Sequence, residues 1–352
     1  MTINYALSFD DVLLTPQKSP INSRSEVNLE TNIGKVKLKI PIISTNMDTV
    51  TSVNMAIKMH ELGGLGILPR FRGVEAEVEE VKQIVKRGAN VAASIGVKDN
   101  YIKEAELLVN AGCTILNIDV AHGHMLQTLN VTKEIKNKFK DKITLISGIA
   151  ATHEATEDLF LSGADAVFLG VGGGSICTTR VQTGCGLPTF ESILRAQKAA
   201  VKHNKQIIAG AGIKNSGDIV KSLAAGCNAV ALGFMLAGSE DTPGKIFEVE
   251  GKKYKRYSGS TSEEQKNRHV KDYKQNKNST YTLHIEGVKG LVEYKGDTKI
   301  VVEKILAGVR SGFSYCGAKN IQELQQNAEF VQITSAGFGE SRHHDVITHI
   351  QI

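Results

Sequence analysis

Cys177, followed by Thr178, Thr179 and Arg180, sits in the most glycine-dense stretch of the chain, GVGGGSICTTRVQTGCG at 170–186. A thiolate becomes a strong nucleophile when cationic or N–H neighbours lower its pKa, and a glycine loop can carry it to an electrophilic carbon. A lone cysteine is more often a small buried hydrophobe. What separates this one is its place just after an apolar run, whereas Cys113, Cys227 and Cys316 lie inside apolar patterns and read as core. Cys185 lies close to the loop and reads as part of the next turn. Two further glycine-rich turns, GAGIKNSGD (210–218) and GFMLAG (233–238), also follow apolar runs. Glycine lets backbone N–H groups approach phosphate oxygens, and a following helix N-terminus adds a favourable dipole. The same glycines could merely close tight turns, but two adjacent turns of one chemistry favour a phosphorylated ligand.

Those groups need a frame that brings run ends together. Eight short apolar runs recur: PIIST (41–45), LGIL (65–68), VAASIG (91–96), TILNID (114–119), TLISG (144–148), AVFLG (166–170), QIIAG (206–210) and AVALG (229–233). Runs without polar alternation fit strands buried on both faces, as in a parallel sheet. Helix-like stretches alternate with them at 53–61, 74–87, 99–111, 124–138, 153–162, 190–203 and 215–225, with one longer gap between the sixth and seventh runs. Eight β/α units predict an α/β fold, a (β/α)8 TIM barrel forming a single domain over 1–352, with its site at the C-terminal ends of the strands. Besides the cysteine loop, those ends carry Asn46-Met47-Asp48 and Asp119-Val120-Ala121-His122-Gly123. The eighth helix is placed at 297–310. The polar, Lys-rich segment 245–296 before it reads as a partly mobile flap over the mouth. Residues 317–352 read as a tail of helix (319–328), strand (329–334) and polar end.

Composition narrows the class of function. The chain has 352 residues, 41% of them hydrophobic, and 42 Lys plus Arg against 37 Asp plus Glu. The resulting +5 is scattered, which suits a small anionic substrate and argues against nucleic acid. Five cysteines with no CxxC suggest neither a disulfide framework nor zinc, and point to a reducing, cytoplasmic setting. Adjacent His343 and His344, with Asp345, do not face one metal from a regular element. No secretory leader and no apolar run of membrane-spanning length is present, so no membrane partner is expected.

At GSICTTR (174–180) the sequence resembles the IMP dehydrogenase and GMP reductase family. FDDVLL (9–14), NMDTVT (46–51), IDVAHGH (118–124), TGCGLP (183–188), LGFMLAG (232–238) and IEGVKG (285–290) match family segments in order. The resemblance implies that Cys177 attacks C2 of a purine nucleoside monophosphate to form a thioimidate, with hydride passing between C2 and a nicotinamide dinucleotide, NADPH or NAD. Thr179 and Glu286 would handle protons. Asn46, Met47, Ser175, Gly210, Gly212, Gly233, Phe234, Tyr257 and Gly259 would contact the substrate, and Asp119, Gly170 and Gly172 the dinucleotide. Backbone carbonyls of Gly172, Gly174 and Cys177 would hold a monovalent cation, K+, in a homotetramer.

Two family reactions share that intermediate. The dehydrogenase oxidises IMP and hydrolyses the adduct to XMP. The reductase expels ammonia from GMP and reduces the adduct to IMP. Hydrolysis in the family uses an Arg-Tyr pair in the flap; here the nearest match is Asp272-Tyr273, and the regulatory insert common in dehydrogenases is absent after strand two. Both points favour GMP reductase, while ESRHHDV (340–346) resembles a dehydrogenase tail. Other departures touch recognition: Gly210 replaces a ribose-binding Asp, Ile149 an Asn, Pro69-Arg70 a His-Lys, and GSTS (259–262) a GMGS. A substrate with a 2′-deoxyribose is therefore a further alternative, unless a side chain such as Asn215 replaces the lost carboxylate. GAG-x5-D, LAAG and LG also resemble the phosphate site of FMN-dependent barrels, and a nucleotide-binding protein without turnover stays open.

Overall fold

In the computed structural model, which describes residues 3–98, 100–263, 266–267 and 284–341, the eight apolar runs are the eight barrel strands. Ahead of them come β1 (Val12–Leu14) and a hairpin of β2 (Thr31–Ile33) and β3 (Val36–Leu38). The barrel follows as β4 (Ile42–Ser44), β5 (Leu65–Leu68), β6 (Ala92–Ile95), β7 (Ile115–Asp119), β8 (Thr144–Ala150), β9 (Ala166–Leu169), β10 (Gln206–Ala209) and β11 (Ala229–Leu232). All neighbours are parallel, and β11 closes on β4 with Val230 opposite Ile42.

The lack of polar alternation follows from this closure. Ile43, Leu65, Ile67, Ala92, Ile115, Ile146, Ala166, Phe168, Ile208, Ala229 and Ala231 fill the interior. Their neighbours, such as Ile42, Val167, Leu169, Ile207 and Val230, pack outward against the helices. Each strand thus buries both faces, which only a covered parallel sheet requires. Ile33 and Leu38 of the hairpin join the interior cluster from below. Gly34 at the hairpin tip has φ +55° and donates its N–H to Gln206 Oε1 at 3.0 Å, while the Lys35 N–H reaches Thr144 Oγ1 at 3.3 Å. Gln206 and Thr144 begin β10 and β8, so the hairpin plugs the N-terminal end and leaves the C-terminal mouth for chemistry.

Helices α1 (Val53–Glu61), α2 (Val74–Lys86), α3 (Tyr101–Asn110), α4 (Leu126–Phe139) and α5 (His153–Leu161) cover the first strands. A short α6 (Thr179–Thr183) occupies the long gap before α7 (Thr189–His203) and α8 (Ser216–Ala224). Several start on side-chain caps that satisfy free helix N–H groups: Ser52 accepts from Met55 N, Thr152 from Ala155 N and Asn215 from Asp218 N. The helix expected at 297–310 runs longer, as α9 (Thr298–Tyr315), because Phe313 continues its buried face past Arg310. The tail forms α10 (Ile321–Asn327), a strand at Phe330–Gln332 and α11 (Ser335–Glu340).

The segment after β11, read from its polarity as a partly mobile flap, carries regular structure. Its described parts form an antiparallel sheet of β12 (Phe247–Val249), β13 (Lys252–Ser258) and β14 (Lys289–Glu293); the tail strand is then β15. Polarity concealed these strands because the sheet lies at the surface and its buried charge is paired with carbonyls. Lys255, only 4% exposed, donates to the carbonyls of Ser239 (3.1 Å), Glu240 (2.8 Å) and Thr242 (2.7 Å). Asp272, Tyr273, His343, His344 and Asp345 lie outside the described residues.

Two described segments from opposite parts of the chain, around Phe9 and Phe330, are fastened at one aromatic cluster. β15 pairs antiparallel with β1, and the buried Phe190 of α7 meets Phe9 at 5.8 Å and Phe330 at 5.0 Å, both edge to face. Phe190→Ala is expected to cost about 3–5 kcal/mol, the transfer loss plus the cavity left behind. Urea unfolding of the variant against the parent measures this; a loss under about 1 kcal/mol would mean that the site collapses to fill the space.

Candidate active site

Cys177 stands in the loop between β9 and α6, partly exposed, with its Sγ 3.2 Å from Thr179 Oγ1. Thr179 Oγ1 in turn donates to Glu286 Oε2 at 2.6 Å. A hydroxyl has one proton to give. Because that proton points at the carboxylate, the oxygen is left to accept from the thiol, and the three groups form one directed path from sulfur to carboxylate. The buried Lys266 adds a cation close enough that the Glu286 charge offsets part of the fall in its pKa caused by burial.

Glu286 reaches this position by backbone pairing across the mouth. Residues 286–288 lie against the cysteine loop as an antiparallel bridge, with Thr178 N donating to Glu286 O at 3.0 Å and Val288 N to Ile176 O at 3.0 Å. On their other side the Gly259 N–H donates to Val288 O at 3.0 Å, and Glu286 N to Thr261 O at 3.3 Å. A Cβ on Gly259 would come 3.3 Å from Gly287 Cα, so the absence of side chains here allows the segments to pack this closely.

Arg180 fixes the shape of the cysteine loop. Its guanidinium donates to Val171 O at 3.2 Å and Leu187 O at 2.5 Å. Its side chain passes so near Gly172 that a Cβ there would meet it at 2.6 Å. Gly170 has φ +120° and would press a Cβ onto that of Ala211 at 2.9 Å. The Gly174 carbonyl accepts the Cys177 N–H at 3.1 Å. Thus Gly170, Gly172 and Gly174 each have a steric or hydrogen-bonding role in the loop itself.

The residues expected to bind an anion lie on the turns after β10 and β11 and on β13. Tyr257, 5% exposed, places its hydroxyl 3.9 Å from Met47 Sδ and hydrogen-bonds Ser175; burial raises its pKa and that bond works against the rise. A Cβ on Gly233 would come 2.8 Å from the Tyr257 hydroxyl. Gly212, at φ +73°, lies near the Gly173 carbonyl and Thr189. Thr189 Oγ1 is buried and has no hydrogen-bond partner among the described residues. A buried hydroxyl without a partner costs free energy unless something binds it. Sequence reasoning missed Thr189 because it reads as the start of a helix.

The remaining expected residues line other parts of the mouth. The turn carrying Asn46 and Met47 is held from below, where the Asp48 carboxylate lies 3.3 Å from Arg72 Nε and Arg72 also binds Glu80 and the Thr51 carbonyl. Asp119 at the end of β7 accepts from Arg70 Nε at 3.2 Å with its side chain 18% exposed. Phe234 is 44% exposed with its ring 6.4 Å from Tyr257. Gly210 stands apart from the polar set, for a Cβ there would fall 1.7 Å from the Phe168 ring.

Fold and site together define an α/β-barrel enzyme with its polar and nucleophilic groups at one mouth. The family model described as IMP dehydrogenase / GMP reductase domain matches residues 6–344, and the chain belongs to that family. Inosine-5′-monophosphate dehydrogenase of Cryptosporidium parvum is 38% identical over 98% of this chain and 96% of its own. GMP reductase of Leishmania major is 30% identical over 98% of each. A crystal structure of GMP reductase from Trypanosoma brucei in complex with guanosine 5′-monophosphate superposes with a TM-score of 0.91 at 28% identity, covering 98% of this chain and 99% of that one. The family consists of oxidoreductases that act on purine nucleoside monophosphates with a nicotinamide dinucleotide.

Lys295, which sequence reasoning did not single out, braces the turn after β11. Its ammonium donates to Phe234 O at 2.7 Å and Met235 O at 3.1 Å and lies 4.8 Å from the Phe234 ring. Burial lowers its pKa to about 8. Below that pH its positive charge sits behind the Phe234–Met235 turn, among the residues expected to bind an anion; above it the charge is lost. The KM for nucleotide is therefore expected to rise as pH passes about 8, and Lys295→Met to raise KM at pH 7 and flatten that limb. An unchanged KM profile in the variant would assign the limb to another group.

Proposed function

We propose that this protein is a GMP reductase, converting GMP and NADPH to IMP, ammonia and NADP. The observation that carries the reading is the directed path from Cys177 through Thr179 to Glu286. Attack of sulfur on C2 of guanine requires the thiol to lose its proton, and the path delivers that proton to the Glu286 carboxylate. The protonated carboxyl is then the acid that the leaving amine needs, so one group serves as base and then acid. The C2–N bond breaks, ammonia departs, and the purine stays on sulfur as a thioimidate. The reduced nicotinamide, when bound, supplies the hydride to C2. The C–S bond then breaks, and the thiolate takes up a new proton from solvent, because the one carried through Glu286 has left with the ammonia.

Asp119 suits the ribose of a dinucleotide. It is an acceptor at the mouth, 3.2 Å from Arg70 Nε, and such a carboxylate takes hydrogen bonds from sugar hydroxyls. The choice of NADPH is part of this proposal. For the nucleotide phosphate, we assign Ser175, Tyr257 and the N–H groups at Gly212 and Gly233, with Thr189 Oγ1 as an added donor. Asn46, Met47, Phe234 and Gly259 would line the rest of the substrate site. The carbonyls of Gly172, Gly174 and Cys177 would face K+; Gly174 O also accepts the Cys177 amide at 3.1 Å, which leaves its second lone pair for a cation. No step depends on a cation. The homotetramer implied by the resemblance belongs to this proposal and is checked by sedimentation.

A second reading, IMP dehydrogenase, is favoured by the identity to the Cryptosporidium parvum enzyme. That reaction needs a group to activate water, and the sequence offers Asp272-Tyr273 where the dehydrogenase pattern has Arg-Tyr. Nicotinamide absorbance with GMP plus NADPH, and with IMP plus NAD, separates the two. Cys177→Ala is expected to abolish turnover while changing nucleotide affinity by less than about 1.4 kcal/mol, because the thiol forms a bond in the reaction and few ground-state contacts. Substantial activity in that variant would end the covalent mechanism. Glu286→Gln is expected to slow ammonia release at least about 100-fold, the typical contribution of a positioned acid, and an unchanged rate would place the proton donor elsewhere.

A further inference from the structure

Phe168 is the largest side chain in the barrel interior, and β10 is followed by a glycine where its ring lies, while Gly148 on the other side packs against its backbone. β9 lies between β8 and β10. On the β8 side, a Cβ on Gly148 would come 2.6 Å from the Phe168 carbonyl oxygen and 2.8 Å from its Cβ. On the β10 side, a Cβ on Gly210 would overlap the ring edge at 1.7 Å. Phe168 and Gly210 are thus a matched pair: the ring occupies the volume that any side chain at 210 would need. Ile149, just past Gly148, packs on the same interior cluster. The floor of the mouth on this side is therefore Ile149, the Phe168 ring edge and bare Gly210 backbone.

That floor lies where a nucleotide's sugar must pass. Gly212, in the phosphate cradle, is two residues beyond Gly210, and Cys177, which must reach the base, stands in the loop leaving the neighbouring β9. A nucleotide joining phosphate cradle to thiol carries its sugar across the end of β10. The nearby Asn215 is held as the N-cap of α8, its Oδ1 turned to the Asp218 N–H at 2.9 Å and not toward this floor. Asp218 is also committed, its Oδ2 accepting the Lys214 N–H at 2.9 Å. A sugar hydroxyl turned toward this floor would exchange water for an aromatic edge and an aliphatic chain, and an unsatisfied buried hydroxyl is costly.

Building on the proposed purine nucleotide activity, we propose that the Phe168–Gly210 pair selects a 2′-deoxyribonucleotide, with dGMP as the preferred substrate over GMP. The test compares kcat/KM for dGMP and GMP with NADPH. The expected result is a preference for dGMP of about tenfold, equivalent to about 1.4 kcal/mol. Use of GMP as well as or better than dGMP overturns the proposal while leaving the reductase reading intact. Turnover of neither would end the reductase reading instead, and calorimetric affinities for the two nucleotides would then decide the sugar question by the same ratio, with binding of neither overturning both. Gly210→Asp alone should fail to fold, since its Cβ has no room. The double variant Phe168→Val, Gly210→Asp clears the ring and supplies an acceptor, and should shift the preference toward GMP by tenfold or more. A soluble double variant with the parental ratio would show that the pair does not read the sugar.

Discussion

A few backbone hydrogen bonds between residues 176–178 and 286–288 hold the reacting groups together. Thr179 and Glu286 are 107 residues apart in sequence, yet their side chains meet at 2.6 Å because Thr178 N and Val288 N are anchored on the opposite strand. Backbone pairing is well suited to this task. It fixes position without spending a side chain, and it is formed only when Gly259 and Gly287 let the chains approach closely. The acid and the nucleophile belong to different parts of the chain, so the path between them exists only while the insertion is docked.

The barrel supplies what that docking needs. Arg180 threads the cysteine loop and binds carbonyls on both limbs, while Arg72 holds Asp48 and Glu80 beneath the turn that carries Met47. Lys255 and Lys295 perform similar work on the insertion and the β11 turn. In each case a cation on a long side chain gathers backbone oxygens or carboxylates that would otherwise be buried without partners. The mild basic excess of the sequence is thus partly spent inside, on loop shape.

Much of the frame was legible in the sequence because burial on two faces leaves an unmistakable trace. All eight runs are barrel strands, and the stretch 53–61 is α1 to the residue. The strands inside the insertion were not legible: a surface sheet with a carbonyl-satisfied lysine reads as a polar, mobile segment. Cys177 could be singled out from its place after a strand, but Thr179 and Glu286 could be paired only through a resemblance, since no local pattern reports a contact across 107 residues. Phe168 hid most completely. In a run of core residues one more phenylalanine carries no signal, and only its overlap with the space above Gly210 shows what it does.

The hairpin seated under β8 and β10 leaves the barrel with a single doorway. Ile33 and Leu38 cork the other end, so two bulky reactants must come and go by one route. Traffic through a cul-de-sac is single file. Anything that binds at the strand ends therefore enters and leaves past whatever already occupies that mouth.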